Sequence, residues 1–404
     1  MSRSAPRARR LAGIEPFLAM EVLERALEIE AAGARVLHLE VGEPDLPAPE
    51  PVVEACVRAL REGQTHYTDS RGLVELREAI AADLGRRFDL PAQRSVDPAH
   101  VIVTSGTSPA MLLCFEALLD PGDEVVIPTP HYPCYPNFVR LCGGVPVFVE
   151  THAHDGYRID VDSVRAALSP RTRAIVVASP ANPTGAIQSR ETLAGLAALG
   201  PPLVCDEIYD QIVYDGARVC SALEVAPRDG PSAPFVLDGF SKRYAMTGFR
   251  LGWVVAPPWA ARSLQVLQQS LFISASSFVQ RAGIAALSQG EATLRANVQV
   301  WGARRRRMVD GLRALGFGVS RLPQGAFYVL ADARRFGADS RALAFALLEG
   351  AGVGAAPGID FGAAAEGWLR FCYAVSDDVI DEALARIAQA LPALEERARA
   401  NAAP

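Results

Sequence analysis

Of the 40 lysine and arginine residues in the chain, one is a lysine, Lys242. Arginine replaces lysine as a surface cation but not as an amine that must lose its proton and attack a carbonyl, because the guanidinium stays charged. A single lysine in an arginine-rich chain is either a chance survivor or a Schiff-base amine with a lowered pKa, and its neighbours decide between the two. Lys242 stands in GFSKRYAMTGFRLGW (239–253), just after a predicted strand, and Arg250 follows eight residues later, just before another. Loops at strand ends are where α/β sheets hold ligands. A cationic phosphate site nearby would help depress the lysine. Arg250 can supply part of it through a bidentate contact, with Ser241 as an added hydroxyl.

Three more segments carry chemistry of the same kind. In TSGTSPAM (104–111) a strand runs into a turn and then a helix. Free N–H groups at such a start cradle an anion, Gly106 lets the backbone approach closely, and Thr107 and Ser108 offer hydroxyls. In VCDEIYDQ (204–211), Asp206 ends a buried strand and needs a positive or hydrogen-bonding partner, such as a protonated pyridine nitrogen. Tyr209, three residues on, and Asn182 in SPANPTGA (179–186) can both hydrogen-bond a phenolic oxygen. An amine for an aldehyde, an acid for a ring nitrogen, and an arginine with a helix start for a phosphate together specify pyridoxal 5′-phosphate.

The elements that must position these groups read as an α/β layered fold. Short apolar, β-branched runs at 101–104, 124–128, 145–150, 174–179, 203–206, 235–238 and 251–256 are candidate strands. Several are apolar throughout, as strands buried on both faces are, which implies a mainly parallel sheet covered by helices. Helical periodicity lies between them at 73–88, 109–119, 135–142 and 191–199. After about residue 277 a long helical pattern at 291–315 precedes strand signals in GAFYVLAD and WLRFCYA and helices at 340–349 and 378–390. That reads as a smaller α+β domain, with an N-terminal helix at about 21–32 packing against it. The arginine run 304–307 reads as a solvated helix face.

These motifs, in this order, resemble the class I/II aminotransferases of fold type I over nearly the whole chain. LEVGEPDLPAPEPV (39–52) is similar to the family's substrate-side segment, with Gly42 lining the pocket. HYTDSRGLVELREAI (66–80) resembles the segment whose tyrosine, here Tyr67, reaches the phosphate of the partner subunit. PTPHYPCYPNF (128–138) places Tyr132 where the family stacks an aromatic on the pyridine ring. ANPTG supplies Asn182, DEIY supplies Asp206 and Tyr209, and SKRYAMTGFRLGW supplies Lys242 and Arg250, with the family's interval of 36 residues from Asp206 to Lys242. PQGAFYVLAD and APGIDFG are typical of its small domain. WLRFCYA puts Arg370 where the family clamps the substrate α-carboxylate. Two positions depart: Gly239 stands where many members place a phosphate-binding serine, and Cys372 where serine is common.

The resemblance implies a large domain with a mainly parallel seven-stranded sheet (46–285), a small C-terminal domain (286–404) and an N-terminal arm and helix (1–45). It implies a pyridoxal-phosphate-dependent aminotransferase that moves an amino group from an L-amino acid to a 2-oxo acid by a ping-pong route through pyridoxamine phosphate. Lys242, Asp206 and Tyr209 are the expected catalytic residues, and Gly42, Asn182 and Arg370 the expected substrate-binding ones, in a homodimer with its site at the subunit interface. The rival within the fold is a C–S β-lyase, which would release pyruvate and ammonia. Reading a distal carboxylate requires a second cation, and the one lysine is committed. The expectation therefore leans toward a neutral or aromatic donor, with His131 structural rather than reading a polar substrate tip.

Composition agrees with an enzyme of this kind. The chain is 404 residues long, 50% hydrophobic, 21% charged and of net charge −6, which is too apolar for disorder. A pI of about 5.7 gives nucleic-acid binding no support, and no apolar stretch approaches the ~20 residues of a membrane helix. Seven scattered cysteines without a C-x-x-C pair argue against a disulfide framework or metal site and for a reducing, cytoplasmic location. Residues 1–10, with four arginines and no acid, read as a short arm rather than a transit peptide.

Overall fold

The structure, a computed structural model, describes residues 8–402, so most of the arginine-rich start lies outside the described residues. The strands, in chain order, are β1 (Leu37–His38), β2 (Val101–Thr104), β3 (Glu124–Thr129), β4 (Val145–Glu150), β5 (Thr172–Ala178), β6 (Leu203–Asp206), β7 (Phe235–Gly239), β8 (Gly252–Val255), β9 (Tyr328–Asp332), β10 (Val353–Gly354), β11 (Ala356–Pro357) and β12 (Trp368–Cys372). Seven of them form the central sheet in the order β2-β8-β7-β6-β5-β3-β4. Pairing is parallel throughout except at β8, which runs antiparallel to both β2 and β7. The other six strands therefore share one direction.

Alternation along the strands explains the double covering. Val103, Val126, Ile175, Cys205 and Val236 join one apolar core. Their neighbours Ile102, Val125, Val176, Val204 and Leu237 join another on the opposite face. Successive side chains leave a strand on opposite sides, so an apolar run feeds both cores. The helices Val74–Arg87, Thr107–Leu118, Cys134–Leu141 and Arg190–Ala197 fall within two residues of their expected bounds. Among the described residues five further helices, Glu50–Arg61, Val161–Ala167, Ala222–Val225, Pro258–Leu271 and Ser277–Gln289, lie outside the helical patterns read from the sequence.

A second, antiparallel sheet has the order β11-β12-β9. It shares a third core with the helices Glu291–Ala314, Ser340–Ala351 and Asp377–Ala402, and with Val22 and Ala26 of the N-terminal helix Leu18–Ala31. The short strands β1 and β10 pair in parallel beside it. Among the described residues no helix is long and apolar enough to cross a membrane.

The arginine run corrects the reading from sequence. Arg306 and Arg307 are exposed, but Arg304 and Arg305 are buried. Arg305 donates to the Pro323 carbonyl at 2.7 Å, pairs with Asp215 and lies 4.4 Å over the Tyr214 ring. Arg304 pairs with Asp45 at 2.8 Å. Four consecutive helical residues span more than a full turn, so they cannot all face water, and a paired guanidinium tolerates burial.

Gly252, at the start of β8, ties the sheet to the turn after β2. A Cβ there would lie 2.8 Å from the Gly106 carbonyl carbon and 2.9 Å from the Thr107 nitrogen, both backbone atoms. Gly252→Ala is expected to destabilise the protein by about 1–3 kcal/mol through this overpacking. A thermal unfolding midpoint equal to wild type would show that the two segments part without cost.

Candidate active site

The shared strand direction gathers the chemistry. The carboxyl ends of β2, β3, β5, β6 and β7 lie on one edge, and so does the amino end of the reversed β8, which Arg250 precedes. A cavity of about 240 Å³ opens there. Thr107, Ser108, Tyr132, Asn182, Asp206, Tyr209, Ser241, Lys242, Arg250, Arg370 and Gly42 all line it.

One end is built for an anion. Gly106 is the N-cap of the helix Thr107–Leu118 and has φ +107°, a conformation suited to glycine. A Cβ at Gly106 would come within 2.7 Å of Arg250 Nη2, so the lack of a side chain lets the guanidinium close over the helix start. Arg250 itself has φ +54° and donates to the Thr247 carbonyl at 3.0 Å. Free helix N–H groups facing a guanidinium make a phosphate cradle. Gly239 is packed tightly: a Cβ there would lie 3.0 Å from the Leu251 carbonyl oxygen and 3.2 Å from Ile208 Cδ1, which leaves little space for the serine common in the family.

Lys242 lines the cavity, and its Nζ donates to the Gly42 carbonyl at 2.7 Å. The side chain keeps some exposure through the cavity, yet the surrounding protein lowers the ammonium to about 8. Burial is the chief cause, and the Arg370 and Arg250 charges act in the same direction. Gly42 cannot carry a side chain, since its Cβ would fall 1.8 Å from the Tyr328 hydroxyl.

Asp206 ends β6 with its carboxylate accepting from the Tyr135 hydroxyl at 2.6 Å and the Ile208 N–H at 3.3 Å. Burial raises its pKa, and neither donor is a cation. A half-buried carboxylate in that state favours a cationic partner, which a protonated pyridine nitrogen would supply. Tyr132 stands edge-on to Tyr135 at 5.4 Å and to Phe17 at 5.9 Å, so its ring plane is set from two sides.

At the other end Arg370 is buried. Nη1 donates to Asn182 Oδ1 at 3.0 Å, and Nη2 to the Glu40 carbonyl. The guanidinium lies 4.4 Å over the Tyr328 ring and 5.0 Å over that of Phe361. Its Nε has no partner, and a buried cation with an unsatisfied donor is a receptor for a carboxylate. Asn182 spends its oxygen on Arg370 and keeps its N–H donors for another acceptor. The Tyr209 hydroxyl is 2.8 Å from that of Tyr328.

Two expected residues do not line the cavity: Gly106, which forms the turn beneath Arg250, and Tyr67. Tyr67 does not line the cavity and is 81% exposed, so within a single chain it touches none of this. His131 is stacked on Phe148 at 5.3 Å and lines a separate small void, and burial lowers its pKa to about 4. Sequence reading missed Tyr135, Tyr328, Glu40 and Phe361. None of them had a local signal; Tyr135 lies in the first turn of the helix Cys134–Leu141, and Tyr132 precedes that helix.

The amine, the cation-seeking carboxylate and the anion cradle suit pyridoxal phosphate, and known proteins agree. The family model "Aminotransferase class I and II" matches residues 34–387. The aspartate/prephenate aminotransferase of Thermus thermophilus is 39% identical over 95% of this chain and 98% of its own length. The valine–pyruvate aminotransferase of Mycobacterium tuberculosis is 38% identical over 94% of this chain and 97% of its own length. The solved aspartate aminotransferase of Thermus thermophilus with maleate superimposes with a TM-score of 0.88 at 39% identity, covering 96% of this chain and 100% of that one. The chain belongs to the class I and II aminotransferases, enzymes of fold type I that use pyridoxal phosphate to transfer amino groups.

Proposed function

We propose that this aminotransferase takes a neutral or aromatic L-amino acid as donor and acts as a cytoplasmic homodimer. The cavity lining carries the donor assignment. Its cations are Lys242, Arg250 and Arg370, each with a task, and the remaining wall includes Phe17, Ala19, Met20, Val41 and Ile208. Among the described residues, a distal carboxylate would meet no further cation in the cavity wall. The two relatives are named for different donors, so the lining is the better guide. Seven unpaired cysteines support a reducing compartment. Exposed Tyr67 supports a dimer, in which it would reach the other copy's phosphate. Two cores that flank the central sheet support a large domain at 46–285, and a third that joins Val22, Ala26 and Leu39 to residues of 301–394 supports a small domain at 286–404 with the segment 1–45 packed on it.

When bound, pyridoxal phosphate supplies an electron-accepting ring and the carbonyl carbon that exchanges the amino group. Gly106, Thr107, Ser108, Ser241 and Arg250 hold its phosphate. Tyr132 sets the ring plane, and Asp206 keeps the ring nitrogen protonated. Asn182 and Tyr209 hydrogen-bond the phenolic oxygen. Arg370, with Asn182 and Gly42 beside it, fixes the donor's α-carboxylate so that Cα–H faces Lys242. The Lys242 amine, neutral in part near neutral pH, would take the proton from the donor's Cα as base and then, as acid, give it to the cofactor carbon that receives the amino group.

Adding L-amino acids singly, without an oxo acid, is expected to bleach the visible cofactor band of the holoenzyme for neutral and aromatic donors. Bleaching by aspartate alone would overturn the donor assignment, and steady release of pyruvate and ammonia would indicate a lyase. Lys242→Ala should lower turnover by at least about 10²–10⁴-fold, the share of a positioned acid–base group. Because Lys242 must be neutral to attack the cofactor's carbonyl, uptake of pyridoxal phosphate by apoprotein should quicken as pH rises through about 8. A flat rate across that range in stopped-flow absorbance would count against it. Tyr135→Phe, which removes a hydrogen bond to a carboxylate, should lower kcat about tenfold by steady-state assay.

A further inference from the structure

The segment from His38 to Gly42 is where the two working cations meet the main chain. The Glu40 carbonyl accepts from Arg370, and the Gly42 carbonyl accepts from Lys242. Just before them, the Leu39 carbonyl accepts from the Cys372 N–H at 2.7 Å and the Leu39 N–H donates to the Gly354 carbonyl at 3.2 Å. The side chain of Glu40 is fully buried. One carboxylate oxygen lies 2.7 Å from His38 Nδ1, and the other has no partner and is pressed against Gly354. A buried carboxylate without a charged or hydrogen-bonding partner is costly, so His38 is what keeps Glu40 in place.

We propose that His38 is a positioning residue for substrate binding: its charged bond to Glu40 holds the carbonyl that aims Arg370 at the donor's carboxylate. The proposal rests on the reading of Arg370 as the carboxylate clamp. The charged groups facing the His38 ring are Glu40, two residues along its own segment, and Glu30 from the helix Leu18–Ala31, 3.4 Å from Nε2. The paired strand β10, Val353–Gly354, contributes no titratable group. Hydrogen bonding to Glu40 is the chief reason that the imidazole titrates above its usual 6.5, with Glu30 adding to it against a burial penalty. A histidine raised in this way contributes fully below its unfolded pKa, and the contribution is lost as pH rises through the folded one. Hold on Arg370 is therefore strong at pH 6 and weakens on the alkaline side.

His38→Asn tests this in the holoenzyme, because the asparagine amide can stand where imidazole Nδ1 donates but carries no charge. The readout is the ratio of donor KM, variant over wild type, at each pH. Titration of Lys242 is common to both enzymes and cancels. The expected ratio is about three- to tenfold at pH 6, falling to one above the wild-type His38 pKa, with kcat within about twofold. NMR of the imidazole should give that pKa above 6.5 in wild type and lower it in Glu40→Gln, which folds without needing a charged partner. A ratio constant with pH, kcat falling together with affinity, or a His38 pKa at or below 6.5 would overturn the proposal. Arg370→Lys separates the two readings: if it leaves donor KM unchanged the clamp assignment fails, while the NMR result still reports on His38 and Glu40.

Discussion

Six strands of the central sheet end at one edge and the seventh begins there. Had β8 run with the others, Arg250, which precedes it, would stand at the far edge, a strand's length from Gly106. Reversal brings the guanidinium against the helix start after β2, where Gly252 and Gly106 let backbone meet backbone. The same geometry sets Asn182 after β5, Asp206 at the end of β6 and Lys242 after β7, so that one cavity receives groups from across the sheet. Burial on both faces makes this rigid, since a slip of one residue would send every strand side chain to the wrong core.

A second layer holds the lysine loop from behind. Arg243, next to Lys242, is fully buried on the side away from the cavity, pairing with Asp83 at 2.9 Å and lying 4.7 Å over the Tyr244 ring. Arg87 joins Asp83, Asp210 and Asp238 in the same network. Burial and the neighbouring Asp210 push Asp238 up to about 7 despite the arginines. Glu207, which follows Asp206, is buried too; desolvation raises it to about 8, and it accepts from the Ser221 hydroxyl and the Ala222 N–H. Removing one member of such a buried pair typically costs about 3–5 kcal/mol, because the other charge is left without compensation. The loop between β7 and β8 is thus fixed by Arg243 on one side while Lys242 faces the cavity on the other.

Two walls of the cavity treat charge in opposite ways. Asp206 is a half-buried anion with hydroxyl and amide donors only, and Arg370 is a buried cation with carbonyl and amide acceptors only. Each is left seeking a ligand of opposite sign, one for a ring nitrogen and the other for a carboxylate. Lys242 lines the same cavity with its charge destabilised by burial, which suits an amine that must be neutral to react.

Much of this was legible in the amino-acid order, for a local reason. Lys242 stood out because arginine cannot do an amine's chemistry. Asp206 stood out at the end of an apolar run, while Asn182 and Gly106, weak signals taken singly, gained meaning from occurring with Lys242 and Arg250 in one order. Element type and strand limits follow from neighbours a few residues apart, so residues 101–104, 145–150 and 203–206 were bounded to the residue. What the tertiary structure alone decided involves partners far apart in the chain. The direction of β8, the bond from Tyr135 to Asp206 across 71 residues and the hold of Glu40 on Arg370 across 330 have no local pattern. The burial of Arg304 and Arg305 depends on where Asp45, Asp215 and Pro323 arrive. A single strand or helix carries its own periodicity, but a hydrogen bond between two elements exists only once packing has set them side by side.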